Sequence, residues 1–381
     1  MKSLKNTTRL NWIDYARGIA IILVVYRHLF EGLKRTPALK SAGVNVESYL
    51  FLEQANIFFF SFRMPLFFIV SGVFIGASLA KRGWGALVEN KARTILYPYF
   101  LWGIIQIGIQ ILFAAFINSQ KSAADFLYLL YSPREVEQFW YLYALFNTTI
   151  IFAFLKEKAK LKSIHQLFLG LTLFIASDLC SQYNIDLYFV SDILHYYIFL
   201  AIGDELSHLI IMGGLRKFFS STKAFFILIL PFVAAQYYFL VINIAHKQLS
   251  PKYLYVEYYQ PLMYLLVALV GCAFIITVSS LLEKYNVVRW LRILGKHSLY
   301  IYVMHVIVFA AARVVLTRFF HLYNVYLLMI LCIAAGVIIP VLFYRISEKL
   351  GMWYLFTLEK PQLKNNKKQS LIRKPQPLYE N

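Results

Sequence analysis

Apolar residues fall along this chain in blocks of about twenty, not in the one-sided stripes of soluble helices or the alternation of half-buried strands. A hydrocarbon core of about 30 Å needs roughly 20 helical residues to cross it. Such blocks lie near residues 10–30, 55–80, 95–117, 139–155, 164–180, 188–203, 224–245, 258–282, 298–318 and 323–345. They predict an all-α polytopic membrane protein of about ten transmembrane helices. Residues 1–345 then form the transmembrane domain, and residues 346–381 a basic, flexible cytoplasmic tail.

The polar residues that interrupt these blocks are the informative ones. The first block carries Asp14, Arg17, Arg27 and His28. Asp14 and Arg17 are i and i+3 on a helix, and His28 follows Arg17 by eleven residues, close to a whole number of turns, so the three share a face. An ionisable group at membrane depth costs roughly 2.5 to 3.5 kcal/mol, so this face should look into the protein or a wet cavity. His28 lies about 16 Å outward of Arg17 at 1.5 Å per residue. The second block holds Arg63 near the depth of His28, where the two would line one outward cavity, and Pro65, which predicts a kink. Ser71-Gly72, with Gly18 and Ala20 of the first block, is expected to leave a passage between helices. In the ninth block Ser298, Tyr302 and His305 fall on one face, with His305 about 10 Å from the inner end. A histidine there reads either as a hydrogen-bonded packing residue or as a functional group. Trp140, opening the fourth block, suits an aromatic belt or a sugar-stacking platform.

Composition agrees with the pattern: 60% of the 381 residues are hydrophobic and 18% aromatic, and the mean hydropathy is +0.61. The net charge of +19 is scattered over short loops and so does not point to nucleic acid. With the N-terminus inside, 26 of the 38 Lys and Arg fall in cytoplasmic segments and 8 outside, while Arg17, Arg27, Arg63 and Arg313 lie within spans. Cytoplasmic loops are enriched in these residues, so both termini are expected in the cytoplasm of a multi-pass protein of the plasma (inner) membrane. The basic N-terminus with Lys2, Lys5 and Arg9 leads into a charged block without a small-residue cleavage site, which reads as a retained helix. Cys180, Cys272 and Cys332 all sit in apolar stretches, which suits core packing; neither a disulfide framework nor a metal site is expected. The loop with Lys81, Arg82, Lys91 and Arg93 satisfies the positive-inside rule, and the same cations at a helix start suit phosphate groups.

Five stretches together resemble the integral-membrane acyltransferase 3 family, in particular its branch similar to fucose 4-O-acetylases. They are Asp14 to Ile19 (DYARGI) followed by His28, Phe62 to Gly72 (FRMPLFFIVSG), Arg93 to Phe100 (RTILYPYF), Phe139 to Phe146 (FWYLYALF), and Leu294 to His305 (LGKHSLYIYVMH). The resemblance implies transfer of an acyl group, usually acetyl from cytoplasmic acetyl-CoA, to a hydroxyl of a cell-surface or lipid-linked glycan. It makes His28 the leading catalytic histidine, Arg17 its partner, and His305 a group for acceptor positioning or proton handling. Arg93 matches the second arginine of an Arg-x-x-Arg pair that meets the CoA phosphates; the first position is Asn90, with Lys91 beside it. Arg63 stands where many relatives have histidine before Met-Pro.

The residue types fit that chemistry. A thioester is already activated, so transfer needs a base for the hydroxyl proton and a cation or donor for the oxyanion. His28 is expected as the base, with a transient acyl-histidine as a second route. Asp14 is expected to hold Arg17 in place, either for catalysis or for register alone. Arg63, Trp140 and Tyr302 are expected to face the acceptor, Lys91 and Arg93 the donor. The alternatives are a proton-coupled carrier or exporter of a glycan-related substrate, which would use the same buried charges, and an assembly partner in glycan synthesis.

Overall fold

The computed structural model describes residues 10–114, 121–211, 213–249 and 260–359, apart from the side chains of 247–249. Lys2, Lys5 and Arg9, the end of the third expected span, the start of the eighth, and the tail beyond Glu359 lie outside the described residues. Every regular element among the described residues is helical. The long helices are α1 (Asn11–Lys34), α2 (Arg63–Lys91), α3 (Tyr97–Leu112), α4 (Trp140–Glu157), α5 (Ser163–Gln182), α6 (Phe189–Glu205), α7 (Thr222–Leu249), α8 (Pro261–Tyr285), α9 (Ser298–Val314) and α10 (Val325–Lys349). With backbone groups paired inside each helix, apolar side chains can face lipid without exposing unsatisfied N–H or C=O groups.

Among the described residues seven helical runs are long and apolar enough to cross a membrane. The difference from the ten expected spans has local causes. Leu50–Leu112 is one run that contains both α2 and α3, α1 carries five charged residues along its 24, and α6 is 17 residues long. Leu230, Leu266 and Ile330 stay broadly exposed on the outer faces of α7, α8 and α10, as lipid contact requires.

α1 is the central element. It packs against α2, α8, α9, α10 and the short helix Arg289–Lys296, and one face from Trp12 to Leu33 is buried. A second group of helices, α2, α4, α5 and α6, packs around α6. The glycines expected to open a passage do the opposite. A β-carbon on Gly72 would lie 3.0 Å from the Gly203 α-carbon, and one on Gly18 would lie 3.0 Å from the Leu291 carbonyl carbon. Backbone fills the space on both sides, so these glycines are helix crossings and not channels. Ala20 is fully buried.

Pro65 makes no kink. α2 begins at Arg63, so the proline sits in its first turn, where the missing N–H had no partner to lose. The break comes at Gly83, whose φ of 74° and ψ of 168° suit glycine alone. Beyond it the chain continues as a helical segment anchored on α4 by Trp84, which donates to the Ile150 carbonyl at 3.4 Å. A π-turn over Ala92–Leu96 then leads into α3; Pro98 cannot donate to the Thr94 carbonyl, which removes the α-helical bond there. Past residue 345, α10 runs to Lys349. Residues 353–359 lie across the start of α3, where Trp102 Nε1 donates to the Leu355 carbonyl at 2.8 Å and Phe356 stacks on Trp102.

Candidate active site

α1 and α9 bring His28 and His305 side by side, with ring centroids 5.3 Å apart. Along the sequence His28 counts toward the outer end of its helix and His305 toward the inner end of its own. The close Gly18–Gly295 approach explains how they meet. A β-carbon on Gly295 would stand 2.9 Å from the Gly18 nitrogen, so the short helix before α9 abuts the first turns of α1. α9 therefore starts well along α1, and seven residues later His305 reaches the level of His28.

His305 is fully buried. Its Nδ1 faces the Tyr302 carbonyl at 2.8 Å and the Ile301 carbonyl at 3.1 Å. A carbonyl only accepts, so in the neutral ring Nδ1 carries the proton and Nε2 keeps its lone pair. Nε2 is buried and has no hydrogen-bond partner among the described residues. His28 is partly exposed, so it forms the accessible side of the pair with His305 behind it. Arg63 and Arg27 lie within electrostatic reach of His28.

The other expected residues divide into those that gather here and those engaged elsewhere. Tyr302 does gather: its ring centroid is 5.9 Å from that of His305 and 5.2 Å from that of Tyr141, and its hydroxyl donates to the Gln138 carbonyl. Arg63 is 2% exposed and donates to the Leu23 carbonyl at 3.0 Å and to Asn56 Oδ1 at 3.3 Å. Asn56 donates in turn to Glu31 at 3.1 Å. This chain of bonds ties α2 to the C-terminal half of α1. Trp140 holds the Arg134 guanidinium 4.5 Å above its ring and sits 5.2 Å from Tyr196, so one face of that platform is already covered.

Toward the other end of α1, Arg17 lies within electrostatic reach of both Tyr141 and Lys91. Lys91 is in turn close to Arg82. Three cations from α1 and α2 thus converge at one end of a line that runs through Tyr141 and Tyr302 to the histidines. Arg93 is exposed and turned away, paired with Glu89 at 2.5 Å. Asn90 donates to Glu359. Asp14 is 4% exposed, and its carbonyl packs on Gly295. Among the described residues no three His, Cys, Asp or Glu side chains cluster so as to hold a metal ion.

Two groups escaped the sequence reading. Asp192 on α6 is 1% exposed and takes both Nε and Nη2 of Arg134, at 2.8 and 2.6 Å; a carboxylate inside a predicted span was a signal that could have found it. Glu137 has φ 54° and ψ −117°; no pattern in the sequence marks such a backbone.

The chain is thus a helical membrane protein in which two central helices bring together a buried histidine and a partly exposed one. The chain belongs to the acyltransferase 3 family, whose acyltransferase domain matches residues 10–345. It is similar to nodulation protein NolL of Mesorhizobium japonicum (strain LMG 29417 / CECT 9101 / MAFF 303099), with 27% identity over 146 residues, covering 36% of this chain. The match spans about a third (34%) of that relative's length. No solved structure matches the chain.

Proposed function

We propose that this protein is a membrane O-acyltransferase that moves an acyl group, acetyl first among them, from cytoplasmic acyl-CoA to a hydroxyl of a cell-surface or lipid-linked glycan. It sits in the plasma (inner) membrane with both termini in the cytoplasm. The observation that carries the proposal is the juxtaposition of His28 and His305 at 5.3 Å, with His305 held by the Tyr302 carbonyl in the tautomer that leaves Nε2 unprotonated.

His28 faces the reacting groups and takes the proton from the acceptor hydroxyl as its oxygen attacks the thioester carbonyl. A small rotation of the His28 ring brings its other nitrogen, as an N–H donor, to Nε2 of His305. Such contacts are commonly long before substrates bind. That bond would orient His28 and support the imidazolium it becomes. When the tetrahedral intermediate collapses, the C–S bond breaks and His28 returns the proton to the thiolate. Lys91, Arg82 and Arg17 fit the donor, since three converging cations suit its phosphates. Arg93, paired with Glu89, contributes less. From Arg17 to His28 the donor's arm bridges about 16 Å along α1. Trp140, Tyr302 and Arg63 shape the acceptor side, and Asp14 fixes the first turn of α1 beside Arg17.

The test is binding and turnover on the purified protein: acetyl-CoA should bind, succinyl-CoA should compete to a measurable degree, and free CoA thiol should appear when glycan is added. A protein that binds neither thioester but carries protons with a substrate would overturn the proposal in favour of a carrier.

A further inference from the structure

Glu137 lies in the segment Pro133–Phe139 between α3 and α4, with φ 54° and ψ −117°. Glycine reaches this region freely, whereas a β-carbon makes it costly. The chain is held there from both sides. Gln138 is fully buried; its amide donates to Gln106 at 2.7 Å, and its carbonyl accepts from Tyr302. On the other side the Glu135 carbonyl accepts from Lys121 at 2.9 Å. Glycine would satisfy this turn better, yet the residue is a glutamate.

Nor does the fold use its carboxylate. Among the described residues it makes no hydrogen bond and no ion pair, and it is partly exposed. Arg313, Arg35 and Lys121 are within electrostatic reach without touching it. Arg313 shares a face of α9 with Tyr302, eleven residues earlier, and donates to the Gly32 carbonyl at 3.0 Å. Glu137 therefore sits beside the Tyr302–His305 end of the site, with cations nearby but no bonded partner among the described residues.

Given the acyltransferase activity proposed above, on which this rests, we propose that Glu137 is an acceptor-binding residue. Its two carboxylate oxygens accept hydrogen bonds from neighbouring hydroxyls of a neutral sugar and turn a third hydroxyl toward His28. A carboxylate suits a diol well because hydroxyl donors bond strongly to an ionised acceptor. It would repel a uronic acid at the same position.

The test uses the full chain in liposomes with labelled acetyl-CoA, titrated with methyl glycosides of neutral sugars and with a matched methyl glucuronoside. Wild type should acetylate a neutral glycoside in preference to the uronide. Glu137→Gln should raise the acceptor KM about 10- to 100-fold, the loss of a charged hydrogen-bond acceptor, with the acetyl-CoA KM unchanged. Glu137→Gly should lose transfer in the same way but melt at a higher temperature, because the turn is relieved. The inference is overturned if Glu137→Gln keeps the wild-type acceptor KM, if the uronide is preferred, if wild type cleaves acetyl-CoA yet acetylates no neutral glycoside, or if Glu137→Gly melts lower. Failure of wild type to bind acetyl-CoA would instead overturn the acyltransferase proposal itself.

Discussion

Gly295→Ala is the sharpest test of how the site is assembled. The added β-carbon would lie 2.5 Å from the Asp14 carbonyl carbon and nearer still to its oxygen, with the Gly18 nitrogen at 2.9 Å. Carbon atoms in good contact sit about 3.5 to 4.0 Å apart, so the two backbones must separate by at least ~1 Å. Neither partner is a side chain that can rotate away. Overpacking of this kind costs about 1–3 kcal/mol, which should lower the thermal midpoint of the purified protein. The same displacement moves α1 against α9 and so pulls His28 from His305. A misplacement of about 1 Å in reacting groups costs on the order of 100-fold in rate, so transfer should fall that far even well below the melting temperature. Gly85→Ala is the control: nothing lies within 4 Å of its β-carbon, and alanine favours the helix by roughly 0.5–1 kcal/mol. A Gly295→Ala protein with wild-type midpoint and wild-type transfer would refute the claim that this crossing sets the histidine register.

Other expectations concern particular charges. Lys91→Ala should raise the acetyl-CoA KM by about 10-fold, as loss of one phosphate contact does, while Arg93→Ala should change it less than about 3-fold because Arg93 is already paired with Glu89; equal effects would contradict the assignment. Arg134→Ala leaves the buried Asp192 carboxylate without its guanidinium and should destabilise the protein by about 1–3 kcal/mol, less than the roughly 3–5 kcal/mol of a fully buried pair because the Arg134 side chain is exposed; an unchanged thermal midpoint would count against it. Reporter tags fused at the two ends should both read cytoplasmic, and a tag on the outside would invert the direction of donor and acceptor.

The helices were legible because lipid demands long apolar runs, and their number came out close once charged α1 and short α6 are considered. The shared face of Ser298, Tyr302 and His305 also followed from helical period. Period tells which residues share a face but not which face meets it, so the pairing of His28 with His305 was not readable. Counting from each helix end puts the two histidines at different depths, and the offset set by Gly18 and Gly295 is a property of two helices at once. Glycine is ambiguous for the same reason: at Gly72 it admits a neighbouring backbone, and at Gly83 it permits a positive φ. Pro65 signals a kink only inside a helix, and a helix that starts at Arg63 has no bond for it to break. Glu137 was invisible because its significance lies in backbone dihedrals and in a missing partner.

The central claim is that His28 removes the acceptor proton in acyl transfer, and it is tested most directly in membranes containing wild type or His28→Ala, supplied with labelled acetyl-CoA. Label should pass to the glycan fraction with wild type, and with the alanine variant that transfer should fall by about 100-fold or more although the protein inserts normally. Equal labelling of glycan by both proteins would contradict the account.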